Sequence, residues 1–253
     1  MDSGSLSIEG VWKGYSRRAQ WSEVLVNISL KVELGEVVAV TGSRLEGKTT
    51  LLKIAAGMER PDKGSVLLGR LVLTDCRDSE RSGLLGRQIV WIDREGPGLN
   101  FEVSRFVGLP LALHGCGERR AQRKATQALK RVGAQKCLGR RWGELSNWQR
   151  VLVGLARAFA GSPQLVIIDD LLDALGGPGT EEASDLLRSL IEASEPRCGV
   201  LMSASDIESA MFADRVWSIT GKHSLKLIAG QHTDGKVVPF PDRDSTRAGG
   251  SLA

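Results

Sequence analysis

The residues from Gly42 to Thr49 have the types and the spacing of a phosphate-binding loop. Their sequence, GSRLEGKT, fits the pattern G-x-x-x-x-G-K-[ST]. In such a loop, several backbone N–H groups and the positive end of the following helix point at one spot, where an anion binds. We expect Lys48 to reach the terminal phosphates of a nucleotide and the Thr49 hydroxyl to hold Mg²⁺. The chemistry that this segment predicts is therefore the binding of a nucleoside triphosphate together with magnesium.

Two flanking elements have to position this loop, and the sequence predicts both. Val37–Val40 is an apolar run bounded by Gly35 and Gly42, which is typical of a buried strand. Thr50–Ala56 has the pattern of a helix that ends near Gly57. A strand that enters a glycine-rich turn and leaves into a helix is the context that the motif requires. The alternative is a decayed pocket, in which the loop persists but no longer binds nucleotide.

The rest of the chain alternates predicted strands with predicted helices. Residues 6–35 alternate apolar and polar side chains and therefore predict antiparallel strands. Residues from about 100 to 160 have a helical pattern. We expect an α/β fold with a mostly parallel core sheet and helices on both faces, followed by a disordered tail beyond about residue 234. Further strands are predicted at Gly64–Gly69, Gln88–Ile92, Gln164–Asp170, Gly199–Ser203 and Val216–Ile219.

The composition is that of an ordinary globular protein with a substantial core. Of the 253 residues, 42% are hydrophobic and 25% are charged. The apolar runs are far shorter than the roughly 20 residues of a membrane span, and the N-terminus does not resemble a secretion signal. We therefore expect a cytoplasmic protein that reaches a membrane only through a partner. Scattered cysteines and distant histidines predict reduced thiols and no zinc site.

Basic residues concentrate between residues 119 and 141, although the net charge is only +4. Such a stretch can contact nucleic acid or anionic lipid. However, Ala125, Leu129 and Val132 recur at helical spacing within it, which favours the solvated face of an amphipathic helix. No nucleic-acid partner is therefore expected.

Several segments outside the phosphate loop carry a resemblance to a known family. They are Tyr15, Phe106–Leu111, Glu144–Ser146, Ala156–Ala158, Asp169 and Ala213–Val216. With the loop, they resemble the nucleotide-binding subunit of ABC transporters over nearly the whole chain, and are most similar to the branch serving lipoprotein release, macrolide export and cell division. The resemblance implies a P-loop NTPase fold of the ABC type. It implies an antiparallel β-subdomain and a helical subdomain at about 96–160, inserted in a domain spanning 1–233 ahead of the tail at 234–253.

The resemblance also implies a role for each residue that matches a family motif. Tyr15 stacks on adenine in this interpretation, and an ordinary strand aromatic is the alternative. Asp169 holds Mg²⁺ through water, together with Thr49. Ser146 donates to the γ-phosphate held by a second chain, because two such subunits pair head to tail. The implied ATP-contacting set is Tyr15, Gly42, Ser43, Arg44, Leu45, Glu46, Gly47, Lys48, Thr49, Thr50 and Ser146.

Two of the family's loops depart from the family pattern at the expected interface between chains. The signature LSGGQ becomes Leu145–Gln149, in which Asn147 and Trp148 replace the two glycines that allow close backbone approach. Gly176 stands where the D-loop aspartate is expected, although a small shift of the alignment would change this assignment.

Three further departures fall on groups that act in hydrolysis. The general-base glutamate becomes Asp170, and a displacement on the order of 1 Å there can lower the rate by about 10²-fold. The glutamine that senses Mg²⁺ and water becomes Arg94, which cannot ligate a metal ion. The switch histidine becomes Ser205, whose side chain is too short to reach the γ-phosphate in the same way. We therefore expect ATP binding with slow or absent hydrolysis.

Three functional hypotheses follow. The first is a degenerate ATP-binding subunit that pairs with itself or with a second ATPase chain. It would dock on a permease-like membrane subunit, at the inner face of the membrane, through the loop from Arg94 to Phe106. The second is an active ATPase in which Asp170 is the base and Arg94 an electrostatic stabiliser. The third is a soluble regulatory module that uses nucleotide as a structural ligand. A small-molecule kinase is a remote alternative.

Overall fold

The computed structural model describes residues 6–17, 20–175, 177–221, 223–231 and 237–238. Within them the strands, in chain order, are β1 (Leu6–Arg17), β2 (Gln20–Val32), β3 (Val37–Thr41), β4 (Lys63–Leu68), β5 (Leu71–Val72), β6 (Ile89–Asp93), β7 (Leu165–Asp169), β8 (Gly199–Ala204), β9 (Arg215–Ile219), β10 (Leu225–Gln231) and β11 (Val237–Val238). The α-helices of the same residues are α1 (Lys48–Ala55), α2 (Asp78–Leu84), α3 (Val103–Leu113), α4 (Glu118–Arg131), α5 (Asn147–Phe159), α6 (Gly177–Glu192) and α7 (Ile207–Ala210). Short 3-10 helices lie at Gln135–Cys137, Trp142–Glu144 and Leu172–Ala174.

The larger sheet has parallel strands at its centre, in the order β11-β10-β9-β3-β8-β7-β6. Strands β3, β6, β7, β8 and β9 run parallel, and β10 pairs antiparallel with β9 at the edge. Strands β3, β7 and β8 are buried along their whole length, because both faces of a parallel sheet are covered. Their carboxyl ends meet at one edge of the sheet, where β3 continues into the phosphate loop.

A second, antiparallel sheet has the order β2-β1-β4-β5. Its buried face includes Leu6, Ile8, Leu25 and Ile28, which belong to the same hydrophobic cluster as the α1 residue Leu51. The antiparallel strands predicted for residues 6–35 are therefore confirmed. This packing fixes the β1–β2 hairpin beside α1, and so brings the tyrosine of β1 to the phosphate loop.

The helices between residues 100 and 160 pack together on the other side of the parallel sheet. Val107 of α3, Leu129 of α4 and Leu155 of α5 are completely buried in one cluster. Helix α4 is amphipathic, since Ala121, Ala125, Ala128 and Leu129 are its buried residues and its basic side chains are mostly exposed. The helical pattern and the solvated basic face that the sequence predicted are both present.

The predicted strands correspond to β3, β4, β6, β7, β8 and β9, with ends that differ by at most one residue. Strand β10 and helices α2 and α7 were not predicted individually. Gly176 lies outside the described residues, and so does the predicted tail apart from the two residues of β11. No helix in the described ranges is both long enough and apolar enough to span a bilayer.

Candidate functional site

The loop between β3 and α1 is shaped by glycine at its last position. Gly47 has φ +103°, and a Cβ built there would lie 2.8 Å from both Cγ1 and the carbonyl oxygen of Val24. Only glycine fits without displacing β2. Gly47 is also the N-cap of α1 and gives the helix no side-chain cap. The N–H groups of the first turn are therefore left to meet an anion.

Leu45 occupies the left-handed region, with φ 69°, and its side chain is 97% exposed. A residue with a Cβ pays about 1–2 kcal/mol for this conformation. Strained backbone of this kind clusters at functional sites. The loop therefore holds a conformation that local sequence preference alone does not select.

The loop carries a cation and an anion of its own. Lys48 Nζ donates to the carbonyl oxygens of Gly42, at 2.5 Å, and Ser43, at 3.1 Å. The Glu46 carboxylate accepts the Ser43 N–H at 2.6 Å. Both charged groups thus lie against the same two residues at the start of the loop.

Tyr15 lies at the edge of the loop and is anchored by its hydroxyl. That hydroxyl donates to Glu59 Oε1 at 2.6 Å and lies 3.4 Å from Thr50 Oγ1. Burial and the hydrogen bond to Glu59 raise the pKa of Tyr15. Lys13 Nζ lies 5.4 Å from the ring centroid. Because Tyr15 is still 36% exposed and lines the cavity beside the loop, its ring is available for stacking.

A cavity of about 690 Å³ opens between the β1–β2 hairpin and the loop. This volume is in the range of small-molecule sites. It gathers most of the predicted ATP-contacting residues and adds Ser16, Ser22 and Val24, which the sequence analysis missed. These residues lie close to Tyr15 in the β1–β2 hairpin, in which Tyr15 pairs with Ser22 and Ser16 with Trp21. This closeness to Tyr15 is the feature by which they could have been predicted. The lining residues are Tyr15, Ser16, Ser22, Val24, Arg44, Leu45, Gly47, Lys48, Thr49, Thr50 and Asp170.

Asp169 and Thr49 form the predicted magnesium pair. Thr49 Oγ1 donates to Asp169 Oδ1 at 3.3 Å, and the aspartate is only 8% exposed. Burial raises the pKa of Asp169, and the carboxylates of Asp170 and Asp93 raise it further, against the lowering effect of hydrogen bonds from Ser203 and Thr49. Hydroxyl and carboxylate oxygens are ligands that Mg²⁺ prefers, so the residues present fit this ion.

Ser203 connects the two neighbouring carboxylates and was missed by the sequence analysis. Its hydroxyl lies 2.9 Å from Asp169 Oδ1 and 3.1 Å from Asp170 Oδ1, and it accepts the Asp170 N–H at 2.8 Å. Asp170 needs this support because its φ is 50°, in the left-handed region. The available signal was a serine in the apolar run of β8, next to β7 in the sheet.

The three altered hydrolytic positions have different surroundings. Asp170 lines the cavity, but Arg94 and Ser205 do not. Arg94 is exposed and follows β6, whose Asp93 is paired in register with Asp169. The Ser205 hydroxyl donates to Asp206 at 2.9 Å. Asp170 is thus the one of the three that lines the cavity, whereas a backbone hydrogen bond from Ser205 reaches Asp173, a carboxylate that interacts electrostatically with Lys48.

Ser146 lies outside this cavity, at the start of α5. It is the N-cap of that helix, where its Oγ accepts the Gln149 N–H at 3.3 Å and its own N–H donates to Gln149 Oε1 at 3.1 Å. Trp148 is partly buried and packs against the hydrophobic cluster of the helices. The predicted contact of Ser146 with a phosphate therefore requires a second chain.

Comparisons with known proteins agree with this fold. The family described as ABC transporter matches residues 25–172. The lipoprotein-releasing system ATP-binding protein LolD of Chromohalobacter salexigens is 31% identical over 212 residues, which are 83% of this chain and 89% of that protein. LolD of Pseudomonas syringae pv. tomato is 30% identical over 221 residues, or 87% and 96% of the two chains.

Two solved structures have the same architecture. The dimeric structure of MJ0796, a bacterial ABC transporter cassette, matches with a TM-score of 0.79 at 24% identity, over 89% of this chain and 99% of that one. A dimeric post-hydrolysis state of MJ0796 bound to ADP and Pi matches with a TM-score of 0.77. The predicted fold class, with its parallel core sheet, antiparallel sheet and helical insertion, is confirmed.

Proposed function

The chain belongs to the ABC transporter family, and from that premise we propose that it is an ATP-binding subunit of a transporter-like membrane complex that hydrolyses ATP slowly or not at all. The observation that carries binding is the cavity, which gathers Arg44, Lys48 and the uncapped start of α1 beside the ring of Tyr15. Cations and a helix N-terminus favour phosphates, and an aromatic face favours a base. Thr49 and Asp169 would hold Mg²⁺, which neutralises phosphate charge when it is bound.

The proposed weakness in hydrolysis rests on where the altered residues lie. Hydrolysis needs groups that orient water and stabilise the transition state better than the ground state. Asp170 is the nearest such group, yet its backbone and carboxylate are both within hydrogen-bond distance of Ser203. Arg94 is exposed outside the cavity, and the Ser205 hydroxyl donates to Asp206. Asp170 thus lines the cavity together with the side chains that bind, whereas Arg94 and Ser205 do not.

A second candidate function is an active ATPase, and one observation favours it. Asp170 carries a carboxylate, lines the cavity and follows the metal-binding aspartate directly, as a general base would. In that case turnover is measurable and vanishes in Asp170→Asn.

The proposed membrane partner docks beside the loop that follows β6. A cavity of about 310 Å³ there is lined by four aromatic side chains, those of Trp91, Phe101, Phe106 and Trp142. Arg157 donates to the Phe106 carbonyl at 2.8 Å and lies 4.3 Å from the centroid of its ring. A short helix with an apolar side chain and an acidic neighbour would fit this groove. Such docking would hold the chain at the inner face of the membrane.

The proposal also includes a second ATP-binding subunit, either a copy of this chain or a different one. Ser146 is exposed at a helix start but lies outside its own chain's cavity, so it is free to face the cavity of a partner. The MJ0796 cassette was solved as a dimer, which is consistent with pairing.

Replacement of Lys48 tests the binding site directly. We expect Lys48→Ala to weaken Mg·ATP binding by about 10- to 100-fold, the effect of removing a charged hydrogen-bond donor. Lys53→Ala is the matched control, because Lys53 lies in the last turn of the same helix. The measurement is the rise in melting temperature of the full chain with Mg·ATP concentration.

Phosphate release measured on the same samples separates the two candidate functions. Negligible release by wild-type protein that is saturated with Mg·ATP supports the first. Release that disappears in both Lys48→Ala and Asp170→Asn supports the active ATPase. If Lys48→Ala and Lys53→Ala bind Mg·ATP equally well, the proposed site is wrong.

A further inference from the structure

Glu46 lies inside the phosphate loop, and we infer that the negative charge of its carboxylate repels the phosphate chain and so lowers the affinity for nucleotide. The inference rests on the proposed ATP-binding function and goes beyond it. Glu46 is one of the variable positions of the phosphate-loop pattern, so the motif gives it no role. Its position in the structure gives it one.

The carboxylate is folded back onto the start of the loop. Its Oε2 accepts the Ser43 N–H at 2.6 Å, which is a short hydrogen bond to a charged acceptor. The same oxygen would lie 2.8 Å from a Cβ built on Gly42, so it is in close contact with the backbone there. Glu46 is only partly exposed. The loop therefore has an anion of its own bound to one of its N–H donors.

Lys48 contacts carbonyl oxygens of the same backbone segment, whereas Glu46 contacts an N–H group. Its ammonium group donates to the carbonyl oxygens of Gly42 and Ser43, while Glu46 accepts from the Ser43 N–H. The two side chains satisfy the polar groups of this segment from within the chain. These contacts hold the Glu46 carboxylate within the loop.

The negative charge of Glu46 has a direct electrostatic consequence for the binding of phosphates. Successive backbone N–H groups in such a loop form a concave anion site, and the Glu46 carboxylate places a negative charge within the same loop. Two negative groups at contact distance also repel each other strongly where solvent is partly excluded. The repulsion grows with the charge of the ligand. Glu46 therefore weakens the binding of every polyphosphate, and weakens that of metal-free ATP more than that of Mg·ATP.

Glu46→Gln is the variant that isolates the charge, because the amide keeps the shape and an oxygen acceptor. Glu23→Gln is the matched control. Glu23 is exposed in β2 between Ser22 and Val24, which line the cavity, so it makes the same change of charge nearby without contact with the loop. Titration calorimetry of the full-length chain gives the dissociation constants for Mg·ATP, and for ATP in the presence of a chelator.

We expect Glu46→Gln to bind Mg·ATP about tenfold more tightly than the wild type, a gain of about 1.4 kcal/mol. The gain should be larger for metal-free ATP, whereas Glu23→Gln should stay within about twofold of the wild type. Glu46→Ser, which removes both charge and reach, should gain at least as much as Glu46→Gln. An affinity that is unchanged or lower in Glu46→Gln overturns the inference. An equal gain in Glu23→Gln also overturns it, since the effect would then be the general field of the protein.

These outcomes separate the inference from the proposed function. If the wild type binds Mg·ATP and Glu46→Gln gains nothing, the ATP-binding function stands and the role of Glu46 is wrong. If Glu46→Gln binds and the wild type shows no binding, the inference is supported in its strongest form. If neither binds, the proposed function is wrong, and the inference falls with it.

Discussion

The hydroxyl of Ser203 is the point at which the two carboxylates of the site are joined. It is 2% exposed and lies within hydrogen-bond distance of Asp169, of Asp170 and of the Asp170 N–H. A buried polar group that loses its partner costs more than the net gain of an ordinary hydrogen bond. Ser203 therefore holds the Asp170 carboxylate and lowers the pKa of Asp169 against the effect of burial.

Replacement of this hydroxyl gives a prediction on stability. We expect Ser203→Ala to lower the free energy of unfolding by about 1–3 kcal/mol, because the Asp170 N–H and the Asp169 carboxylate lose a buried partner. Urea unfolding at neutral pH measures the change. Ser205→Ala is the control, since it removes an exposed hydroxyl two residues away and should stay within about 0.5 kcal/mol of the wild type. Equal effects of the two replacements would contradict this role.

The raised pKa of Asp169 predicts the direction in which the stability of the fold changes with pH. Its pKa is raised in the folded state by burial, so the charged carboxylate is disfavoured there relative to the unfolded chain. This group destabilises the fold at neutral pH, and the penalty is relieved as the pH falls through the raised pKa towards 3.8, the value of an ordinary aspartate. We expect Asp169→Asn to raise the melting temperature of the nucleotide-free protein at pH 7, and to abolish the extra stabilisation that Mg²⁺ adds to ATP.

The exposed Asp75 is the control for this change. Asp75→Asn should leave both the melting temperature and the effect of Mg²⁺ as they are in the wild type. The interpretation is wrong if Asp169→Asn melts lower than the wild type without nucleotide.

The sequence predicted those parts of the site that are contiguous along the chain. Gly42, Gly47, Lys48 and Thr49 form one motif, and their geometry follows from the strand and helix on either side. Ser203 could not be predicted in this way, because it is separated from Asp169 by 34 residues and joins it only through the pairing of β7 with β8. The hydrogen bond of Tyr15 to Glu59, across 44 positions, is likewise a product of tertiary packing.

At the scale of elements, the loop after β6 is held against the helical part of the molecule by backbone hydrogen bonds, such as those from Trp142 and Gly143, and by an aromatic contact. A Cβ built on Gly96, which has φ +68°, would lie 2.3 Å and 2.4 Å from ring atoms of Trp142. Trp142 is almost fully buried and packs edge to face on Phe106, with ring centroids 5.3 Å apart. The groove proposed for the membrane partner depends on this contact, because both aromatic residues line it.

This contact predicts different outcomes for two glycines of one loop. Gly96→Ala is expected to lower the free energy of unfolding by about 1–3 kcal/mol more than Gly98→Ala, because it must displace Trp142. Gly98 has φ +100° but nothing lies within 4 Å of a Cβ built there, so the second variant carries backbone strain alone. Urea unfolding followed by tryptophan fluorescence measures both. Equal destabilisation by the two replacements would rule out the contact as the cause.

The elements themselves were predictable where hydrophobic periodicity was strong. Strands β3, β7 and β8 are continuous apolar runs, and such runs identify strands buried on both faces. Helix α2 has no buried residue, so no apolar stripe marked it in the sequence. Strand β10 includes Lys226 and Gly230 and pairs with β9 with a register shift, which weakens its pattern.

At the scale of the whole molecule, the chain contains a cavity suited to a nucleotide, but helix α5, which begins at the altered signature, does not line that cavity. Ser146 caps α5 and is not part of the lining around Lys48. A complete site would therefore need a second cassette, and Asn147 and Trp148 would then stand where the family has glycines. In such a pair, binding of nucleotide and closure of the two chains would be linked.

We expect the full chain to bind Mg·ATP and to hydrolyse it slowly or not at all. A single calorimetric titration of the wild-type protein with Mg·ATP measures both parts, because binding gives saturable injection heats and turnover shifts the baseline continuously. We expect saturable heats with little or no shift of the baseline. The absence of any saturable heat would contradict binding, and a baseline shift in proportion to protein concentration would contradict slow hydrolysis.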